Sequence, residues 1–173
     1  MNNKINVKKF DQYPIFDELS LTEIKNFTDK MEINNYNKDE VIIKEGKPGN
    51  SILFLLNGKV NISQALTLPT NKFNNQDNRE KELIKLNSEK NTISFGEISL
   101  FNIDKKRTAT VRASTNCEIA RLGFNDFFEI CNYNNEVGYR IMKNISKIIT
   151  KQLIDSNYKV LKLTTAFSLL IDE

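Results

Sequence analysis

The chain has 173 residues, 39% of them hydrophobic and 27% charged, a balance that fits one globular domain. Its net charge of +3 comes from 25 basic and 22 acidic residues with no basic block, so charge lends no support to nucleic-acid binding. It contains no histidine. That excludes Ser–His and Cys–His nucleophile pairs, His general bases and His-containing zinc sites together, and two cysteines alone make a poor metal site. The expectation is a protein that is not an enzyme and holds no metal.

In chain order, MNNKINVKKFDQYP at the start has lysines but no apolar run after them, unlike a signal peptide. No window approaches the ~18–20 apolar residues that span a bilayer. These features predict a cytoplasmic protein with no membrane partner, in which Cys117 and Cys131 are buried free thiols. SLTEIKNFTDKM, residues 20–31, opens with Ser20 followed three residues later by Glu23, a capping box. Leu21, Ile24, Phe27 and Met31 then recur at helical spacing, which predicts a short core-facing helix.

After Asn34 the pattern changes. VIIKEGKPGNSILFLLNGKVNIS, residues 41–63, is rich in Val, Ile, Leu and Phe and broken by Gly46, Pro48-Gly49 and Asn57-Gly58. Asn-Gly between apolar runs predicts a hairpin. Residues 81–87, 92–95, 108–114 and 117–123 read as further short strands. Strands at this spacing predict a sandwich, jelly roll or barrel. LTLPTNKFNNQDNRE, residues 66–80, is polar and broken by Pro69, and reads as a long hairpin loop.

From Asn125 the period turns helical again, with Asn125 as the expected N-cap of a short helix. A long helix is predicted from about Asn135 to the end. Along it Met142, Ile145, Ile149, Leu153, Ser156, Val160, Leu163, Phe167 and Leu170 stand 3, 4, 4, 3, 4, 3, 4 and 3 residues apart, close to a heptad seam. A 30-residue helix is about 45 Å long, more than a small β domain covers. The seam therefore predicts a homodimer along the C-terminal helix, the alternative being a helix that bends back onto its own domain.

FGEISLFNIDKKRTATV, residues 95–111, carries the chemistry. The chain has 20 Lys but only 5 Arg, and Arg107 follows Lys105 and Lys106, so positive charge alone does not explain it. A guanidinium grips an anion with two parallel hydrogen bonds. Phe95 ends a strand, Gly96-Glu97 form its exit, and the residues from Ile98 have room for one helical turn whose amides face an anion. Arg107 returns on the next strand, and Thr108 adds a hydroxyl. Glu97 would repel a phosphate unless it meets a neighbouring hydroxyl, as carboxylates meet ribose in dinucleotide sites. The inferred ligand has a ribose beside a singly charged phosphate.

This stretch resembles the phosphate-binding cassette of the cyclic nucleotide-binding domain family, found in the bacterial catabolite activator, protein kinase regulatory subunits and gated channels. Phe95, Gly96, Glu97, the turn from Ile98, then Arg107, Thr108 and Ala109 follow the family pattern, while Ser99 stands in the turn at a place the family often gives to Ala or Gly and is small enough to fit it. Gly46 and Gly58 fall at family turn positions. The resemblance extends over nearly the whole chain and implies a mainly β fold with α: an eight-stranded jelly-roll β-roll flanked by an N-terminal helix and C-terminal helices, the last a long lid and dimer helix. The expected organisation is one domain, 1–173, with an N-terminal helical segment at 1–33, the β-roll at 34–123 and C-terminal helices at 124–173. Asp39 stands where the family usually has Gly at a turn, a position Asp tolerates.

The resemblance implies that Glu97 binds the ribose 2′-hydroxyl and Arg107 the cyclic phosphate, with Gly96 and the Ile98 turn offering amides. It implies a lid over the purine from the first half of the long helix, near Val137–Ile145, with Arg140 and Ile141 as lid candidates. The ligand is cAMP or cGMP: Thr108 resembles cGMP-selective members, while family frequency favours cAMP. The implied function is a cyclic nucleotide sensor or regulatory module coupled to the C-terminal helix, with an effector protein as a further partner. The alternative is a degenerate member acting as a dimerisation module without ligand. About ten residues follow Leu163, too few for the helix-turn-helix of the catabolite-activator group, so no DNA partner is expected through that element. A cupin-type enzyme would need histidines that are absent.

Overall fold

The computed structural model describes residues 5–65, 80–89 and 92–171. The elements run α1 (Val7–Phe10), a 3-10 turn (Pro14–Phe16), α2 (Leu21–Thr28), β1 (Glu32–Tyr36), β2 (Val41–Ile43), β3 (Ser51–Asn57), β4 (Lys59–Ala65), β5 (Glu80–Asn87), β6 (Ser94–Phe95), α3 (Ile98–Phe101), β7 (Thr110–Ala113), β8 (Cys117–Gly123), α4 (Phe124–Tyr133) and α5 (Asn135–Ile171). The eight strands form two four-stranded sheets, ordered β1-β8-β3-β6 and β2-β7-β4-β5. The expected eight-stranded roll with flanking helices is therefore present.

β3 reads as an unbroken apolar run because both of its faces are buried. Ile52 and Phe54 point into a core shared with the helices, while Leu53 and Leu55 point between the sheets. Its neighbour β8 divides in the same way, Ala120 and Leu122 to one side and Cys117 and Ile119 to the other. Phe54 is the hub of the helical side, with ring centroids 5.5 Å from Phe10, 5.3 Å from Tyr13 and 5.6 Å from Phe16. The Tyr13 hydroxyl donates to the Leu55 carbonyl at 2.7 Å, so its polar end is satisfied inside the core.

The capping box forms as expected: Ser20 Oγ accepts from the Glu23 amide and the Glu23 carboxylate accepts from the Ser20 amide. Leu21, however, is exposed, and the core face of α2 is Ile24 and Phe27. Asn57-Gly58 is not a hairpin. β3 and β4 lie in different sheets, and Gly58, at φ +98°, turns the chain from one layer to the other against Asn116 and Cys117. The N-cap of α4 is Gly123 rather than Asn125; Asn125 lies inside the helix. Asp39 takes φ +71°, the left-handed geometry expected where the family has Gly. The predicted loop at 66–80 lies outside the described residues apart from Glu80, but β4 and β5 flanking it do pair antiparallel, Ala65 opposite Glu80.

α5 is one continuous helix of 37 residues, about 55 Å at 1.5 Å per residue. Its first half packs on the core through Val137, Ile141 and Ile145, with Asn144 donating to the Ile15 and Asp17 carbonyls. Met142 and Ile149 are partly buried on the same core. From Leu153 onward the seam is exposed: Val160, Leu163, Phe167 and Leu170 are each more than half accessible. Cys117 and Cys131 are buried and free, and burial pushes the Cys131 thiol up to about 11. No helix among the described residues is long and apolar enough to cross a membrane.

Candidate ligand-binding site

A cavity of ≈ 550 Å³ opens between the β2-β7-β4-β5 sheet, the Phe95–Ser99 turn and α5, within the range of small-molecule sites. All eight residues singled out from the sequence, Phe95 through Ser99 and Arg107 through Ala109, line it. Its sheet side is apolar, with Ile62, Leu83, Ile84 and Leu86. Opposite stand polar side chains of α5.

Arg107 is positioned by the glycine-rich stretch before β3. Its amide donates to the Lys47 carbonyl and its carbonyl accepts from Gly46, both at 2.9 Å, while Gly49 donates to Lys105 at 2.7 Å. The segment carrying Arg107 thus runs antiparallel to residues 46–49, ahead of β7 rather than on it. The guanidinium, 8% exposed, donates from Nη2 to the Ser51 carbonyl and hydroxyl and from Nη1 to the Gly96 carbonyl. Three contacts leave two of the five N–H donors of a guanidinium, on Nε and Nη1, for another acceptor. Burial holds its pKa below the usual arginine value, and Arg121 lowers it further.

Gly96 takes φ +93°, and a Cβ there would strike the Arg107 guanidinium and approach the Ser51 carbonyl to 3.0 Å. Glycine is required on both counts. Glu97 follows at the start of α3 and is 3% exposed. Its Oε1 accepts from Gln152 Nε2 at 3.4 Å, while Oε2 is buried with no hydrogen-bond partner among the described residues. Burial raises its pKa, opposed by its backbone hydrogen bond, Gln152 and Arg107. A buried acceptor facing a cavity without a donor is costly, and a ligand hydroxyl would satisfy it. Ser99 is buried in the turn, and Thr108 is exposed at the mouth, with its carbonyl accepting from Gln64 at 2.7 Å. Among the described residues no group of His, Cys, Asp and Glu is placed to hold a metal ion.

The two lid candidates are elsewhere. Ile141 is fully buried in the helical core. Arg140 pairs with Glu23 at 2.6 Å and donates to the Glu18 carbonyl at 2.7 Å, tying α5 to the N-terminal segment. The α5 residues lining the cavity are Gln152, Asp155, Ser156 and Lys159, about two to four turns beyond the expected stretch. The sequence held one sign of them: Ser156 is the polar residue in an otherwise apolar seam.

A family model described as "Cyclic nucleotide-binding domain" matches residues 33–134. Among curated proteins, the chain is 24% identical over 143 residues to "Glutaminase 2" of Bradyrhizobium diazoefficiens, covering 83% of this chain and 20% of that protein. It is 22% identical over 121 residues to the "cAMP-activated global transcriptional regulator CRP" of Salmonella typhimurium, covering 70% of this chain and 52% of that one. The chain thus spans between a fifth and about half of the length of these relatives. Among solved structures, a cyclic nucleotide-binding domain from Methylobacillus flagellatus superposes with TM-score 0.72 at 19% identity, covering 90% of this chain and 84% of that one. The catabolite activator protein of Thermus thermophilus gives TM-score 0.71 at 18% identity, covering 87% and 63%. These structural likenesses establish the fold.

Proposed function

The chain belongs to the cyclic nucleotide-binding domain family, and on that premise we propose that its cavity binds a cyclic nucleotide and reports it through α5. The observation that carries this reading is Glu97: a carboxylate 3% exposed, one oxygen without a donor among the described residues, lining a cavity beside Arg107. The ribose 2′-hydroxyl donates to Glu97, and the cyclic phosphate accepts from the remaining N–H donors of Arg107. Gly96 allows the close approach of the turn, and Thr108 adds a hydroxyl at the mouth.

Gln152 links the site to the helix. It already contacts Glu97, so a ligand that engages Glu97 changes what α5 touches. That difference in contacts is what lets a ligand shift one conformation over another. The exposed seam from Leu153 to Leu170 is the homodimer contact in this reading, and an effector protein receives the signal. The function is regulatory binding, not catalysis; the glutaminase likeness covers one fifth of that protein and carries no chemistry across. A cytoplasmic setting suits the two free cysteines.

The competing reading is a ligand-free module, and one observation favours it: three of the Arg107 contacts are made to protein acceptors. Thermal unfolding with millimolar cAMP or cGMP, on the wild type and Arg107→Ala, separates the two. A ligand at 100 times its dissociation constant adds about 2.7 kcal/mol, and the variant should lose that gain. No shift with either nucleotide would support the ligand-free module.

A further inference from the structure

The far half of α5 has a second apolar side. Ile154, Tyr158, Leu161, Thr165 and Leu169 stand 4, 3, 4 and 4 residues apart, and all are exposed. At about 100° per residue this stripe lies roughly 170° around the helix from the seam of Leu153, Val160, Leu163, Phe167 and Leu170. Asp155, Lys159 and Lys162 on one flank and Asn157, Thr164 and Ser168 on the other keep the two stripes apart. A paired helix covers only the narrow seam, so the second stripe stays in water in the homodimer. The Thr165 hydroxyl already donates to the Leu161 carbonyl at 2.9 Å, so it adds no unmet polar group to that stripe.

Toward the domain the same side turns basic. Lys143, Lys147 and Lys151 follow at four-residue steps in line with Ile154, along a shallow groove shared with Ser146 and Thr150. Lys143 Nζ donates to both Glu18 carboxylate oxygens, at 2.8 and 3.0 Å, and Lys147 to one at 3.4 Å. One carboxylate thus serves two of the three lysines, and Lys151 is in no ion pair or hydrogen bond among the described residues. We infer that this side of α5 docks an acidic amphipathic helix of an effector protein, its apolar residues on the Ile154–Leu169 stripe and its carboxylates on the lysines. The inference rests on the reading above in one respect, that α5 passes its signal to an effector. A docked helix is read through apolar anchors at this spacing, and the lysines select the sign of its charge. They also reject a second copy. A parallel self-pair sets lysine against lysine, and an antiparallel one sets the lysines against the apolar stripe.

Fluorescence anisotropy on the full chain tests this with a labelled synthetic helical peptide, leucines at heptad spacing on one face and glutamates flanking them. The control peptide carries lysines in place of the glutamates. The acidic peptide is expected to bind, more weakly as salt rises, and the basic one not. Tyr158→Glu with Leu161→Glu should abolish binding, and Lys147→Glu with Lys151→Glu should weaken it about tenfold or more, a change of about 1.4 kcal/mol. These residues lie on the helix surface, all but Lys147 on its exposed half, and circular dichroism melts check that each variant folds. Leu163→Glu with Phe167→Glu, on the opposite side, should leave peptide binding intact. No binding of the acidic peptide, equal binding of the basic one, or binding that survives Tyr158→Glu with Leu161→Glu overturns the inference. So does a wild type larger than a dimer that this double variant reduces to a dimer, which would make the stripe a contact between copies. Binding to phosphatidylserine vesicles in place of the peptide would make it a membrane surface and overturns the inference too. Peptide binding that millimolar cAMP and cGMP both leave unchanged supports the docking surface and contradicts the ligand coupling of the reading above.

Discussion

Gln152, midway along α5, donates to Glu97 at the start of α3, Nε2 to Oε1 at 3.4 Å. This contact joins the longest helix of the fold to the buried carboxylate of the cavity. Gln152→Ala takes a donor from that carboxylate. The bond is long, so the ligand-free protein should lose at most about 1 kcal/mol, or roughly 2–4 °C in the unfolding midpoint at this chain length. Calorimetric melts of the two proteins measure it.

Glu97 also makes a pH prediction. Its pKa in the folded state is raised above the ordinary 4.5, chiefly by burial. The folded state therefore holds a proton that the unfolded chain releases, and the Glu97 contribution to stability falls as pH rises from 4.5 through the raised value. Glu97→Gln cannot titrate. Without ligand it should match the wild type well below pH 4.5 and become the more stable of the two as pH rises through that interval. Urea unfolding of both proteins across the pH range reads the gap directly.

Two of the left-handed glycines, Gly46 and Gly96, separate strain from collision. An added Cβ at Gly46, φ +76°, meets nothing within 4 Å, whereas at Gly96 it strikes the Arg107 guanidinium. Gly46→Ala should cost only the backbone strain, of order 1–3 kcal/mol. Gly96→Ala should cost more and displace Arg107 as well. Thermal unfolding compares the two variants, and only Gly96→Ala is expected to abolish nucleotide binding.

Phe54→Ala removes the ring that Phe10, Tyr13 and Phe16 pack around. A loss of about 3–5 kcal/mol is expected, measured by denaturant unfolding.

The local sequence rules read most of this fold because β3, β8 and α2 each satisfy their own periodicity and their packing at once. They failed where two structures share one signal. Asn57-Gly58 has the residues of a hairpin, but the positive φ at Gly58 serves a turn between sheets, and only tertiary pairing distinguishes the two. Asn125 is a good cap by type, yet Gly123 at the end of β8 starts the helix because β8 delivers the chain there. Gly96, Glu97, the turn from Ile98, Arg107 and Thr108 were singled out by type and spacing and Ser99 and Ala109 through the family resemblance, and all of them line the one cavity with Phe95. The α5 residues of the cavity were not legible. Helical phase alone says which residues share a face, but not which turn of a 37-residue helix passes the site.

The exposed half of α5 makes an oligomeric prediction. Leu163 and Phe167 are 55% and 64% exposed, four residues apart in the seam. Leu163→Glu with Phe167→Glu would bury like charges in a paired seam. Size-exclusion chromatography with light scattering should find the wild type dimeric and the double variant monomeric, with nucleotide still bound.

The most direct measurement is a calorimetric titration comparing each cyclic nucleotide with its 2′-deoxy analogue, on the wild type and on Glu97→Gln. If Glu97 accepts the ribose hydroxyl, the wild type binds the parent about tenfold or more tightly than the analogue, and Glu97→Gln loses most of that difference. Equal binding of parent and analogue by the wild type, or no binding of either, would contradict the account.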